Sequence, residues 1–337
     1  MIETHAEALS LDHLHRLTRA HGLYEHALYD DPRPACGYTT DDNARALVVL
    51  ARGLDLGVPG IALSPYLEFV TSGVVAGGWH NRMANSGDWD DRRGSDDAHG
   101  RAIWGLGECL ARGLDEERVL DAFQAGILSF DSIYPRSVAY ATLGVFAVSA
   151  AGILDQLLGQ FLEKLAASLP EPGPGVWGWP ESRLTYDNAR IPEALIQAGS
   201  AMGDAVIVQR GLDLLDWLID VEHGSEGFSF TPVGGRGPDD VKPAFDQQPI
   251  EAWAMADACF AAYRLDGQPT WRTSSLEAAD WFLGKNDTGV AMYDPVTGAG
   301  YDGLEADGVN ENRGAESTLA ALGALIRRGQ LRREEVH

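Results

Sequence analysis

Apolar residues recur along the chain at helical spacing. Leu47, Leu50 and Leu54 lie three and four residues apart, and Val119, Ala122, Phe123, Ile127 and Phe130 repeat the pattern, as do Leu195, Ala198 and Met202. Such spacing puts the side chains on one helix face. Runs alternating apolar and polar residues are scarce, so strands are minor and confined to loops. A coarser regularity lies above the helical one. Six times, a Gly-, Pro- or Trp-rich loop leads into a polar cluster that opens a helix rich in small and apolar residues. The clusters are Thr39–Arg45, Ser95–Arg101, Tyr134–Ser137, Thr185–Arg190, Phe245–Glu251 and Asn310–Glu316. They stand about 40–65 residues apart, room for two helices and their connections.

Between the openings the pattern predicts amphipathic helices over 63–76, 115–130, 154–168, 205–221 and 271–284, with 5–21 ahead of the first. A helix apolar nearly all round is buried, and one with a wet face covers it. Six of each predict an all-α (α/α)6 toroid, a double ring of inner and outer helices forming one domain over 1–337. Segment 285–310 is rich in Gly and Asp, and we read it as a long rim loop.

The net charge is −24, with 50 Asp+Glu against 26 Lys+Arg. That argues against a phosphate backbone or an anionic membrane as the partner and leaves a neutral, sugar-like substrate open. Cys36, Cys109 and Cys259 form no C-x-x-C, so neither a disulfide framework nor a structural zinc is expected. The opening residues carry no signal-peptide pattern, and no stretch is long and apolar enough to span a bilayer, so the expected location is the cytoplasm. H-E-x-x-H, the phosphate-binding P-loop and the G-x-S-x-G elbow are all absent from the sequence, and neither a metal nor a cofactor is expected. The oligomeric state is not readable.

In an alternating double ring every inner helix runs the same way, so all six openings surround one end of the cavity. One N-cap needs one side chain. The openings hold Asp41, Asp42, Asp96, Asp97, Asp187, Asp246, Glu251, Glu311 and Glu316, beyond any capping need. Like charges facing one cavity repel and raise some pKa values. A raised carboxyl beside an ionised one is the requirement for glycoside hydrolysis. Arg45 and Arg190 follow Asp42 and Asp187 by three residues, and Arg101 follows Asp97 by four, the spacing that orients a carboxylate on one helix face. Trp79, Trp89, Trp177 and Trp179 fall in the Gly-rich loops, where aromatic rings can stack on a sugar. His99 is the one histidine near an inner-helix opening.

With these openings the chain resembles the six-hairpin glycosidase superfamily of (α/α)6 carbohydrate-active proteins. Asp41-Asp42 and Asp96-Asp97 are similar to the paired aspartates that some of its members place in the cavity. Relatives include unsaturated glucuronyl hydrolases, endo-mannanases with adjacent aspartates, and sugar 2-epimerases. The epimerases use a pair of cavity histidines, and here only His99 is well placed. Asp88-Trp89-Asp90-Asp91 also spells the D-x-D-D of class II terpene cyclases, but it is followed by Arg92-Arg93-Gly94 among openings crowded with charge.

The resulting expectation is a glycoside hydrolase acting on a short oligosaccharide, with inverting chemistry favoured. Asp97 and Asp187 are the acid–base pair, with Asp42 third. The expected substrate-binding residues are Asp41, Arg45, Trp79, Trp89, Asp96, His99, Arg101, Trp179, Glu181, Arg190, Gln248, Glu251, Glu311 and Arg313. The alternatives are a carbohydrate-binding or regulatory protein without turnover, a sugar epimerase or isomerase, and, remotely, a terpene-cyclase-like enzyme.

Overall fold

The computed structural model describes residues 9–150, 155–169 and 177–334. Residues 5–8 of the first expected helix, and residue 154, lie outside them.

Among the described residues twelve α-helices alternate between two environments. α2 (Thr40–Asp55), α4 (Asp96–Leu110), α6 (Pro135–Ala150), α8 (Arg190–Met202), α10 (Pro249–Asp266) and α12 (Ala315–Arg333) are the six that the polar clusters open. α1 (Asp12–Leu17), α3 (Ser64–Ser72), α5 (Glu116–Ser129), α7 (Asp155–Ser168), α9 (Ala205–Glu222) and α11 (Pro269–Asp280) lie between them. The first six touch one another in a closed cycle, α2 to α4 to α6 to α8 to α10 to α12 and back to α2. Each also packs against a helix of the second set. One connected apolar cluster runs through both sets.

Local chemistry explains the boundaries. Thr39 caps α2 by accepting from the Asp42 N–H, and Ser95 caps α4 by accepting from the Ala98 N–H. Gly203 and Gly267 close α8 and α10 in the left-handed region. Small residues set how near the inner helices approach. A Cβ at Gly107 would fall 2.3 Å from the Gly144 carbonyl oxygen, and one at Gly144 would fall 2.4 Å from that of Ile103. Backbone lies against backbone between α4 and α6, which only glycine allows.

Two expectations change. The first helix is only six residues long and gives way to a short hairpin, Thr18–Arg19 against Gly22–Leu23. Segment 285–310 carries two hairpins, Tyr293–Asp294 with Ala299–Gly300 and Gly303–Glu305 with Gly308–Asn310. Paired backbone replaces the irregular rim loop, and a bridge from Leu304 to Gln247 ties the second hairpin to the start of α10. Glycine- and aspartate-rich turns hide such two- and three-residue strands from any periodicity. Among the described residues no helix is long and apolar enough to cross a membrane.

Candidate active site

The starts of the inner helices meet through their side chains. Arg101 of α4 donates to Asp41 of α2 at 2.7 Å. Ser137 of α6 donates to Asp97 of α4, and Tyr186, ahead of α8, donates to the other oxygen of Asp97 at 2.7 Å. Arg45 of α2 joins Asp42 to Glu316 of α12, each at 2.7 Å. The backbone N–H groups of Asp187 and Asn188 point at Glu251 of α10. Asp187 has φ 50°, a left-handed turn that aspartate tolerates better than most residues.

A cavity of about 310 Å³ opens at this end, between the starts of α2 and α12. Asp41, Asp42 and Arg45 line it from α2, Glu316 and Ser317 from α12, and Asn81, Arg82, Glu25, His26 and Asp302 from the loops. Two adjacent carboxyls face different fates here. Burial pushes Asp42 up to about 6, with Arg45 and Thr39 offsetting only part of the effect. Burial also pushes Asp41 upward, but Arg101 and Arg45 override it and hold the group below the ordinary carboxylate range. One proton donor and one anion therefore share the wall at weakly acidic pH.

Asp97 lies outside this lining, its side chain 16% exposed and 3.7 Å from Arg101. Below it the axis is filled. Asp187 is buried, accepting from Tyr140 at 2.7 Å and from Arg190 at 3.2 Å. The Arg190 guanidinium lies beside the stacked rings of Trp253 and Trp104, 4.4 and 4.7 Å from their centroids. It reaches Asp257 at 2.6 Å and Glu193 at 2.7 Å. Burial raises Glu251 well above its usual value, reinforced by Glu222 and Asp187.

Several expected ligand groups are turned inward, and their roles are corrected. Asp187 is enclosed by Tyr140, Arg101 and Arg190 and presents no free oxygen to the mouth. Arg190 and Glu251 are buried partners of other side chains. Trp79 is 1% exposed and spends its indole N–H on the Val70 carbonyl; Trp179 is 2% exposed and gives its own to Glu181. Neither offers a face to a sugar, because the Gly-rich loops fold these rings beneath themselves. His99 faces outward, bonded to the Gly126 carbonyl at 2.9 Å, and burial lowers it to about 4. Glu181 is held by Arg136 at 2.8 Å, and Gln248 props two backbone carbonyls, of Thr185 and Pro232. Trp89 is half-buried, stacked on His80. Asp96 turns to Arg93, Glu311 is exposed, and Arg313 holds Asp30 and lies over Tyr301.

Sequence reasoning missed Tyr140, Tyr186, Arg136 and Asn81. Tyr140 stands three residues after Ser137, on the same face of α6, so its helical spacing was available as a signal. Arg136 pins the loop before α8 through the Tyr186 carbonyl at 2.5 Å and Asn188 at 2.7 Å. Asn81 donates to Asp41 at 2.9 Å from a loop that no periodicity marks.

No family profile and no curated protein matches this chain. Solved structures do. Cellobiose 2-epimerase from Bacillus thermoamylovorans superposes with a TM-score of 0.72 at 12% identity, covering 97% of both chains. A sugar epimerase from a ruminal bacterium gives 0.71 at 11%, covering 96% of this chain and 97% of its own. The GH76A α-1,6-mannanase from a Salegentibacter species gives 0.66 at 10%, covering 97% and 98%. The chain shares the all-α fold of these structures. The shared architecture spans the described helices from α1 to α12, and the acidic mouth lies at the inner-helix starts of that fold.

Proposed function

We propose that the protein is a carbohydrate-active enzyme on an (α/α)6 toroid, hydrolysing a short oligosaccharide by carboxyl acid–base chemistry. The observation that carries this reading is that Asp41 and Asp42 line one cavity with Arg45, while Arg101 ties Asp41 to Asp97 beside it. Asp42 is the proton donor to the leaving oxygen. Asp41 is the ionised partner, and Asp97, with Tyr186 and Ser137 fixing its two oxygens, is the third carboxylate at the site. Arg101 positions both Asp41 and Asp97. This replaces the pair Asp97 and Asp187, because Asp187 is enclosed.

A second reading is sugar epimerisation. His26 lines the same cavity and stands 3.6 Å from Glu25, the one imidazole at the mouth among the described residues.

One experiment decides. A panel of neutral oligosaccharides is incubated with the protein and followed by proton NMR. New reducing ends report hydrolysis, whereas altered configuration at unchanged length reports epimerisation. Under the hydrolase reading, Asp42→Asn lowers kcat/KM at least about 100-fold. Sugar binding by calorimetry without either product would leave a binding protein and overturn the enzyme reading.

A further inference from the structure

The opposite end of the helix cycle holds a second cavity, of about 660 Å³. All six inner helices contribute to it from their C-terminal halves, from Arg52 of α2 round to Arg327 of α12. Its volume falls within the range of small-molecule sites. Its polarity is the reverse of the front mouth. Arg52, Arg112, Arg264 and Arg327 line it against only Asp55 and Glu108, on a chain whose net charge is −24.

The arginines are not equivalent. Arg52 is saturated by Glu108 and Asp257, and Arg112 by Asp55 and Glu108. Arg327 spends its Nε on Asp257 at 2.5 Å and one terminal nitrogen on Gln330 at 2.8 Å. Its remaining terminal nitrogen has no hydrogen-bond partner among the described residues. Burial and the neighbouring Arg52 hold this guanidinium below its ordinary value, the mark of a cation short of compensation. It lies 4.6 Å from the ring centroid of Phe260, which also lines the cavity, as do Phe146 and Leu265. An arginine whose spare N–H opens into the cavity beside aromatic and aliphatic walls suits a ligand with a charged head and an apolar body.

We infer that this rear cavity is a second ligand site, taking a small organic anion whose head pairs with Arg327 and whose apolar body rests on Phe260 and Phe146. The site is separate from the sugar mouth and does not depend on the reaction assigned there.

The test uses 8-anilinonaphthalene-1-sulfonate as the probe, titrated by fluorescence into the full chain at low salt, with the uncharged 1-anilinonaphthalene in parallel. The expected result is saturable binding of one sulfonate per chain, at least about tenfold tighter than the neutral compound. Arg327→Met, which keeps the side-chain bulk, removes that difference. Because Arg327 also holds Asp257, a second variant is needed. Ser200→Trp fills the cavity from its exposed wall, leaves every arginine in place and weakens the sulfonate at least about tenfold. Equal affinity for the two probes, unchanged affinity in Ser200→Trp, or no saturable binding would each overturn the inference.

Discussion

The Arg101 guanidinium crosses from α4 to Asp41 on α2, donating at 2.7 Å, and simultaneously donates to the Tyr140 hydroxyl oxygen at 2.7 Å. It also faces Asp97 at 3.7 Å and Asp187 at 3.9 Å. One side chain thus sets the spacing of four carboxylate and phenol groups, from α2, α4, α6 and the loop before α8. Arg101→Met leaves the half-buried Asp41 without its main cation, and breaking such a pair costs up to about 3–5 kcal/mol. Denaturant unfolding reads that loss. Arg101→Lys restores the charge but not the fork, so stability returns further than kcat/KM does.

Asp42 gives the activity a pH limb. As proton donor it must be protonated, and burial places its titration at about 6. kcat/KM therefore falls as pH rises through about 6, because kcat/KM reports the free enzyme's groups. In Asp42→Asn the residual activity loses that limb. A profile flat from about pH 5 to pH 8 in the parent protein would remove Asp42 from the donor role.

Trp79 separates packing from sugar stacking. Its indole N–H reaches the Val70 carbonyl at 2.6 Å, and its ring fills space beside Gly73 and Gly126. Trp79→Phe loses the hydrogen bond and opens a gap, lowering stability by about 1–3 kcal/mol. KM for the sugar stays within about twofold, since the group does not face the mouth. Chemical denaturation and initial-rate kinetics on the same preparation check both halves.

Stability has an optimum in weak acid. Burial raises Asp42, Glu193, Glu222 and Glu251 above their ordinary values. In the unfolded chain these groups ionise near 4. Their contribution is complete below that pH and is lost as pH climbs through the folded values. Asp41, Glu108 and Asp257 behave oppositely; burial is overridden by arginines, which hold them low. Their contribution is present above about 4 and is lost as pH falls. Calorimetric Tm is expected to peak between about pH 4 and 6 and to decline toward pH 8. A peak above pH 7.5 would contradict these assignments.

The helices were legible because each carries its own period. α8 reads as Leu195, Ala198 and Met202, and α9, expected over 205–221, is observed over Ala205–Glu222. The openings were legible because polar residues cluster against apolar helices. What each opening does was not. Asp42 and Asp187 sit in the same tetrapeptide, Asp-Asn-Ala-Arg, yet one lines a cavity and the other is enclosed. Asp187 is enclosed by Tyr140 and Arg101, residues from other helices that no local pattern links to it. The loop tryptophans failed for a related reason. A Gly-rich loop can lay an indole on the solvent side or tuck it underneath, and composition does not distinguish the two.

The buried Arg190 guanidinium has one more consequence. It pairs with Asp187, which faces Arg101, and with Asp257, which also holds the rear arginines Arg52 and Arg327. Charged side chains thus run in contact from the acidic mouth to the rear cavity, although the two cavities share no lining residue among the described ones. Losses of stability in Arg101→Met and Arg327→Met are therefore expected to be non-additive when the two are combined.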